Sequence, residues 1–167
     1  MSIRELPDAE ALVAELKRRM RPAVSANTAL VGIRTGGAWI AERLHRDLAI
    51  VVPLGTLDIS FYRDDYERRG LHPNVKPSEI PFEVEGRDII LVDDVLYTGR
   101  TIRAAMNELF DYGRPASIRL AALVDRGGRE LPIAAQFLGA EFDPGTGQSI
   151  ELARDDRGRF SLRLTRD

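Results

Sequence analysis

Cysteine is absent from the sequence. Disulfides, thiolate nucleophiles and cysteine-ligated zinc are thereby excluded together, and a chain without thiols suits a reducing compartment, so the cytoplasm is expected. Histidine is nearly as scarce: His45 and His72 are the two in the chain, too far apart in pattern for a metal site, and both are expected at the surface. No run approaches the roughly 18 apolar residues that a membrane-spanning helix needs, and the start Met1-Ser2-Ile3-Arg4-Glu5-Leu6 lacks the apolar stretch of a secretory leader. Excess positive charge is missing as well. With 24 Lys+Arg against 26 Asp+Glu the formal net charge is -2, so no overall field attracts a polyanion, and nucleic-acid contact would have to come from a local patch. Neither G-x-x-x-x-G-K-[ST] nor G-x-G-x-x-G occurs, which removes the commonest nucleotide loops.

What is present is enough apolar material for one core, 44% of 167 residues, and a single domain over residues 1–167 is expected. Leu12, Val13, Leu16 and Met20 fall at helical spacing after Pro7, which predicts an amphipathic N-terminal helix. Thr28 to Ile33 reads as a strand ending in the turn Arg34-Thr35-Gly36-Gly37, after which Ile40, Ala41, Leu44 and Leu48 predict a helix. A second apolar run, Ile50 to Leu54, leads through Gly55 into a long polar stretch of the kind that forms lids or disordered loops. Ile89 to Val92 predicts a buried strand, and Ile102, Ala105, Met106, Leu109 and Phe110 the inward stripe of a helix closed by Gly113. Ile118 to Val124 reads as a third core strand, and Ile150/Leu152 with Phe160/Leu162/Leu164 around Asp155 to Gly158 as a C-terminal β-hairpin. Strands alternating with helices give the α/β class, with a mostly parallel sheet flanked by helices and ligands beyond the carboxyl ends of its strands.

The segment Ile89 to Thr101 carries the chemistry. Its apolar strand delivers Asp93 and Asp94 to the strand end, and Thr98-Gly99-Arg100-Thr101 then opens a helix. Two carboxylates there accept hydrogen bonds from a vicinal diol and favour a nearby cationic centre. A hydroxyl-rich glycine turn at a helix N-terminus suits a terminal phosphate. The pairing fits a ribose 5-phosphate. Taken singly, the halves have ordinary readings, since paired Asp residues often cap helices and Thr-Gly turns are common.

The whole stretch resembles the signature of the type I phosphoribosyltransferases. The resemblance implies that fold as a single domain. It also implies that Asp93 and Asp94 hold the ribose hydroxyls while Val95, Leu96, Tyr97, Thr98, Gly99, Arg100 and Thr101 hold the 5-phosphate. Arg34, Thr35, Gly36 and Gly37 look like the family's pyrophosphate loop, and Arg63, in a stretch resembling a mobile catalytic loop, like a pyrophosphate ligand and catalytic residue. Val95 to Thr101, Tyr112 to Pro115 and Leu123 to Ile133 together resemble the PyrR branch, the pyrimidine operon attenuation proteins that are also uracil phosphoribosyltransferases.

For that branch the implied reaction is formation of UMP and pyrophosphate from uracil and 5-phosphoribosyl-1-pyrophosphate, with Mg²⁺ held through the substrate rather than by a protein cage. Val124, Asp125 and Arg126 lie beside the base by the same resemblance, and uridine nucleotides and a homo-oligomer, dimer or higher, are implied. The sequence departs from the branch at Gly128, where a histidine is usual. It also has no base in Phe142 to Gly147, where RNA-binding members carry basic residues. Lys17, Arg18, Arg19 and Arg21 are then read as a solvated helix face, with RNA binding as a secondary expectation. Two other readings keep the same pocket: transfer to another base, or nucleotide sensing by an RNA-binding regulator without turnover. A phosphoacceptor domain of the receiver type also uses an acidic pair, but does not need the Thr98 to Thr101 turn.

Overall fold

The structure, a computed structural model, describes residues 5–59 and 78–167. Five parallel strands, β1 (Thr28–Ile33), β2 (Gly55–Leu57), β3 (Asp88–Leu96), β4 (Ser117–Asp125) and β5 (Phe137–Glu141), form a sheet in the order β2-β1-β3-β4-β5. Three α-helices, α1 (Ala9–Met20), α2 (Gly36–Asp47) and α3 (Arg100–Phe110), accompany it among the described residues. The chain ends in an antiparallel hairpin, β6 (Gln148–Arg154) with β7 (Phe160–Arg166).

Helix α1 starts where Asp8 accepts the Ala11 N–H at 3.1 Å, a side-chain cap for one of the orphan donors of the first turn. Its buried residues include Leu12, Val13, Leu16 and Met20, the stripe that the spacing predicts. They join Ile40 and Leu44 of α2 and Ile150, Leu152 and Phe160 of the hairpin against one face of the sheet, on Leu30, Ile90, Val92 and Leu123. On the other face Ile102, Ala105 and Leu109 of α3 pack with Val31, Ile89, Leu91, Leu120 and Val84. Successive residues of β3 thus feed opposite cores, which is why Ile89 to Val92 is apolar without alternation. Each such aliphatic side chain contributes about 1.5–3 kcal/mol through burial.

Two expectations change. Phe110 is not part of the inward stripe but 57% exposed; eight residues beyond Ile102 it has rotated about 80° around the helix. His45 is not a surface group. It is half-buried, with Nε2 2.8 Å from the Val52 carbonyl, tethering α2 to the segment before β2. His72 lies outside the described residues. Strand β5 has no counterpart in the sequence reading; it docks on β4 through Ala121↔Phe137 to Asp125↔Glu141, and a Cβ on Gly139 would overlap the Leu123 carbonyl.

Candidate active site

The strand register brings three turns to one edge. Gly32 pairs with Val92, so β1 and β3 end side by side, and Leu96 pairs with Asp125, placing the end of β4 beside them. Asp93 is 7% exposed, and its Oδ1 accepts the Asp94 N–H at 2.9 Å. Asp94 Oδ1 accepts the Val95 N–H at 2.8 Å. Each carboxylate is therefore clipped to the backbone beyond it, which fixes its direction before any ligand arrives.

The first turn packs directly on these acids. A Cβ on Gly36 would overlap Asp94 Oδ2, and one on Gly37 would overlap the Val92 carbonyl and come within 3.0 Å of Asp93 Cα. Both glycines are required by space, since a side chain at either would separate the turn from the acid pair. The Arg34–Thr35 peptide is cis, and the Arg34 N–H donates to the Leu57 carbonyl at 2.9 Å. The Arg34 guanidinium reaches toward β2, donating to Thr56 Oγ1 at 3.0 Å and lying 3.8 Å from Glu79.

The second turn needs its glycine for a different reason. Gly99 caps α3 at φ 94°, in the left-handed region that side chains disfavour. Thr98 Oγ1 accepts the Arg100 N–H at 3.2 Å, and the Thr98 carbonyl accepts from the N–H groups of Glu130 and Leu131 at 2.9 and 3.1 Å. Arg100 pairs with Glu130 at 2.8 Å on the surface. The helix start leaves first-turn N–H groups without intrahelical acceptors beyond Gly99, a geometry suited to an anion.

The third turn follows β4. Asp125 accepts the Gly127 N–H at 2.9 Å and Arg129 Nη2 at 2.6 Å, and the Arg126 N–H donates to the Leu96 carbonyl at 3.0 Å. A cavity of about 530 Å³ opens here, lined by Asp125, Arg126, Gly127, Glu141, Phe142 and Asp143. The segments singled out, Arg34 to Gly37, Asp93 to Thr101 and Val124 to Arg126, thus meet at one edge of the sheet, with the side chains of Leu96 and Val124 turned into the cores beneath it. Arg63 lies outside the described residues.

A second surface escaped the sequence reading. A groove of about 550 Å³ between α1, α2 and the hairpin is lined by Lys17, Arg43, Arg46, Arg154, Arg157 and Arg159 against Glu10, Glu42 and Asp47, with Trp39 and Phe160 among its walls. Arg154 lies over the Trp39 ring at 4.5 Å and Arg43 over Phe160 at 4.4 Å. Glu10 ties the groove together, accepting from Arg43 at 2.7 Å and from the Phe160 N–H at 2.8 Å. Burial pushes its carboxyl up, but those hydrogen bonds outweigh it and hold the group below its usual range. Only the bases flanking Gly158 hinted at this surface; the others converge from distant parts of the chain. The bases at Lys17 to Arg21 are partly paired: hydrogen bonds from Arg18 and Arg19 hold the half-buried Glu15 carboxyl down at about 2, and Lys17 pairs with Asp47 at 3.6 Å.

Residues 2–141 match the phosphoribosyl transferase domain family. Bifunctional protein PyrR of Nitrosococcus oceani is 54% identical over 153 residues, 90% of this chain and 86% of the relative. Bifunctional protein PyrR of Pseudomonas aeruginosa is 53% identical over 86% of this chain and 85% of its own length. Among solved structures, a hypoxanthine-guanine phosphoribosyltransferase of Bacillus anthracis superposes with a TM-score of 0.66 over 85% of this chain and 86% of that one, at 18% identity. A purine phosphoribosyltransferase of Pyrococcus horikoshii gives 0.62 over 81% and 83%, at 23% identity; at such identities the likeness concerns the fold. With that architecture, the family match and relatives of this closeness, the chain belongs to the phosphoribosyltransferases and, within them, to the PyrR family.

Proposed function

We propose that this protein is a uracil phosphoribosyltransferase, a single catalytic domain over residues 1–167 working in the cytoplasm. The observation that carries the reading is the contact of the Gly36-Gly37 turn with Asp93 and Asp94, next to the Thr98–Thr101 helix start. That contact supports a reading in which a pyrophosphate cradle, a diol acceptor and a phosphate cradle follow the order in which 5-phosphoribosyl-1-pyrophosphate carries those groups. Uracil as the base comes from membership of the PyrR family.

In this reading N1 of uracil attacks C1 of the donor. The N1–C1 bond forms, the C1–O bond to pyrophosphate breaks, and the N1 proton leaves, giving UMP and pyrophosphate. Asp93 and Asp94 accept hydrogen bonds from the ribose diol, and their negative charge stabilises the positive charge that builds on the sugar. Backbone N–H groups of the Thr98 to Thr101 turn hold the 5-phosphate, while Thr35 to Gly37 admit the leaving group close to the backbone. Arg34, drawn toward Thr56 and Glu79, adds positive charge at the rim of that turn, and Arg63 completes the set. Val124 to Arg126 flank the base. Mg²⁺ would be held through oxygens of the substrate and water rather than by a protein cage, with the acid pair adding negative charge nearby; when bound it supplies charge neutralisation on the pyrophosphate.

The test is pyrophosphate release with the donor, Mg²⁺ and each of uracil, orotate, hypoxanthine, guanine and adenine. Turnover with uracil, lost in an Asp93→Asn/Asp94→Asn double variant, is expected; preference for another base would reassign the substrate. The basic groove favours an additional activity, uridine-nucleotide-dependent RNA binding. Its signature would be a gel shift that weakens steeply with salt and is lost on replacing Arg154, Arg157 and Arg159.

A further inference from the structure

The phosphate turn and the base-side loop are joined by more than backbone hydrogen bonds. The guanidinium of Arg126 lies over the Tyr97 ring, 3.9 Å from its centroid. Its Nε is buried and has no hydrogen-bond acceptor among the described residues, while the ring face gives the cation an electrostatic partner. Arg126 also reaches the hairpin, donating to the Gln148 carbonyl at 3.1 Å and approaching Ser149 Oγ at 3.5 Å. Arg129 donates to the Tyr97 carbonyl as well as to Asp125. Gly128 completes the arrangement: a Cβ there would stand 2.5 Å from Tyr97 Cε1 and 3.0 Å from Cδ1. The ring occupies the space that a side chain at 128 would fill.

We propose that Tyr97, Arg126 and Gly128 form one positioning unit, which holds the turn that binds the sugar phosphate at a fixed separation from the loop that flanks the base. The inference rests on the phosphoribosyltransferase reading of those two loops. Its energetic logic is selective. A ligand that touches only the phosphate turn gains little from the unit, whereas a nucleotide spanning both loops needs them at the right distance. Loosening the separation therefore penalises the spanning ligand.

The experiment measures binding of ribose 5-phosphate and of UMP to the full-length protein by calorimetry, together with the NMR resonance of Arg126 Nε–H, which ring current from Tyr97 should move upfield. In Tyr97→Ala and in Gly128→Ala the upfield shift should vanish and UMP affinity fall about tenfold, with ribose 5-phosphate affinity changing less than about threefold. Tyr97→Phe keeps an aromatic face and should restore both the shift and most of the UMP affinity. Gly127→Ala separates backbone strain from the contact with the ring. Gly127 and Gly128 share a left-handed φ, 76° and 81°, but a Cβ on Gly127 meets nothing within 4 Å, so this variant should keep the shifted resonance. Equal loss of both ligands, or of neither, in the Tyr97→Ala and Gly128→Ala proteins would overturn the positioning role, as would an unshifted Arg126 resonance in the wild type. A wild-type protein that binds ribose 5-phosphate but gains nothing from the uracil ring of UMP would instead refute the reading of the base-side loop, and the unit would fall with it.

Discussion

The carboxyl edge of the sheet and the seam between the hairpin and α1 are held by different physics. At the edge the decisive contacts are steric: Gly36 and Gly37 press on Asp94, Val92 and Asp93 with no room for a methyl group, and Gly99 adopts a backbone angle of 94°. At the seam they are electrostatic, with Glu10 accepting from Arg43 on α2 and from Phe160 on β7 while Arg43 donates to the Gly158 carbonyl at 2.6 Å. A site assembled by excluded volume should be indifferent to pH and salt. A seam assembled by charge should respond to both, and the groove it borders is the surface on which a polyanion would act.

That contrast can be broken or sharpened by substitution. Gly37→Ala should have the largest effect, about 3 kcal/mol of stability lost because the obstruction is backbone and cannot rotate away; thermal unfolding near neutral pH should show a fall of about 6–12 °C. An unchanged midpoint would mean that the edge is looser than its packing indicates. Glu10→Gln comes next, at about 2 kcal/mol for weakened charge-assisted hydrogen bonds. Because the folded Glu10 carboxyl sits below its ordinary 4.5, its contribution is fully present above that pH and is lost as pH falls through the lowered value. The stability gap between wild type and variant should therefore narrow as unfolding is measured from pH 7 down to pH 3. Gly99→Ala should cost about 1–2 kcal/mol through its left-handed angle, with no dependence on pH over the same range and with weaker binding of ribose 5-phosphate. Glu15→Gln should be the mildest. Although Arg18 and Arg19 hold that carboxyl at about 2, the pair is solvated and screened, and the melting temperature should not move measurably.

The sequence made the edge more legible than the seam. Periodicity located α1, α2, α3 and the hairpin, continuous apolar runs located β1, β3 and β4 because both their faces are buried, and the adjacent acids followed by Thr98-Gly99 announced the site by local chemistry alone. Strand β5 stayed hidden because Phe137-Leu138-Gly139-Ala140-Glu141 has neither alternation nor β-branched residues; it is a strand because β4 offers it a parallel partner and Gly139 allows the approach. The groove stayed hidden because Lys17, Arg43 and Arg154 are neighbours only after folding. Similarly, the stack of Arg126 on Tyr97 joins two motifs that are each readable alone, and nothing in either announces the other.

The bond from the Phe160 amide to Glu10 spans 150 residues of chain. On a ribosome adding about 5–20 residues per second, the carboxylate of α1 emerges some 8–30 s before its partner has been made. Late in that interval the nascent chain holds β1, β3 and the acid pair but still lacks the hairpin wall of its first core, so part of the apolar stripe of α1 would stay uncovered unless something else shields it. A chaperone, or a provisional docking on the unfinished sheet, would fill that role, and the completed hairpin would then act as the closing latch of synthesis.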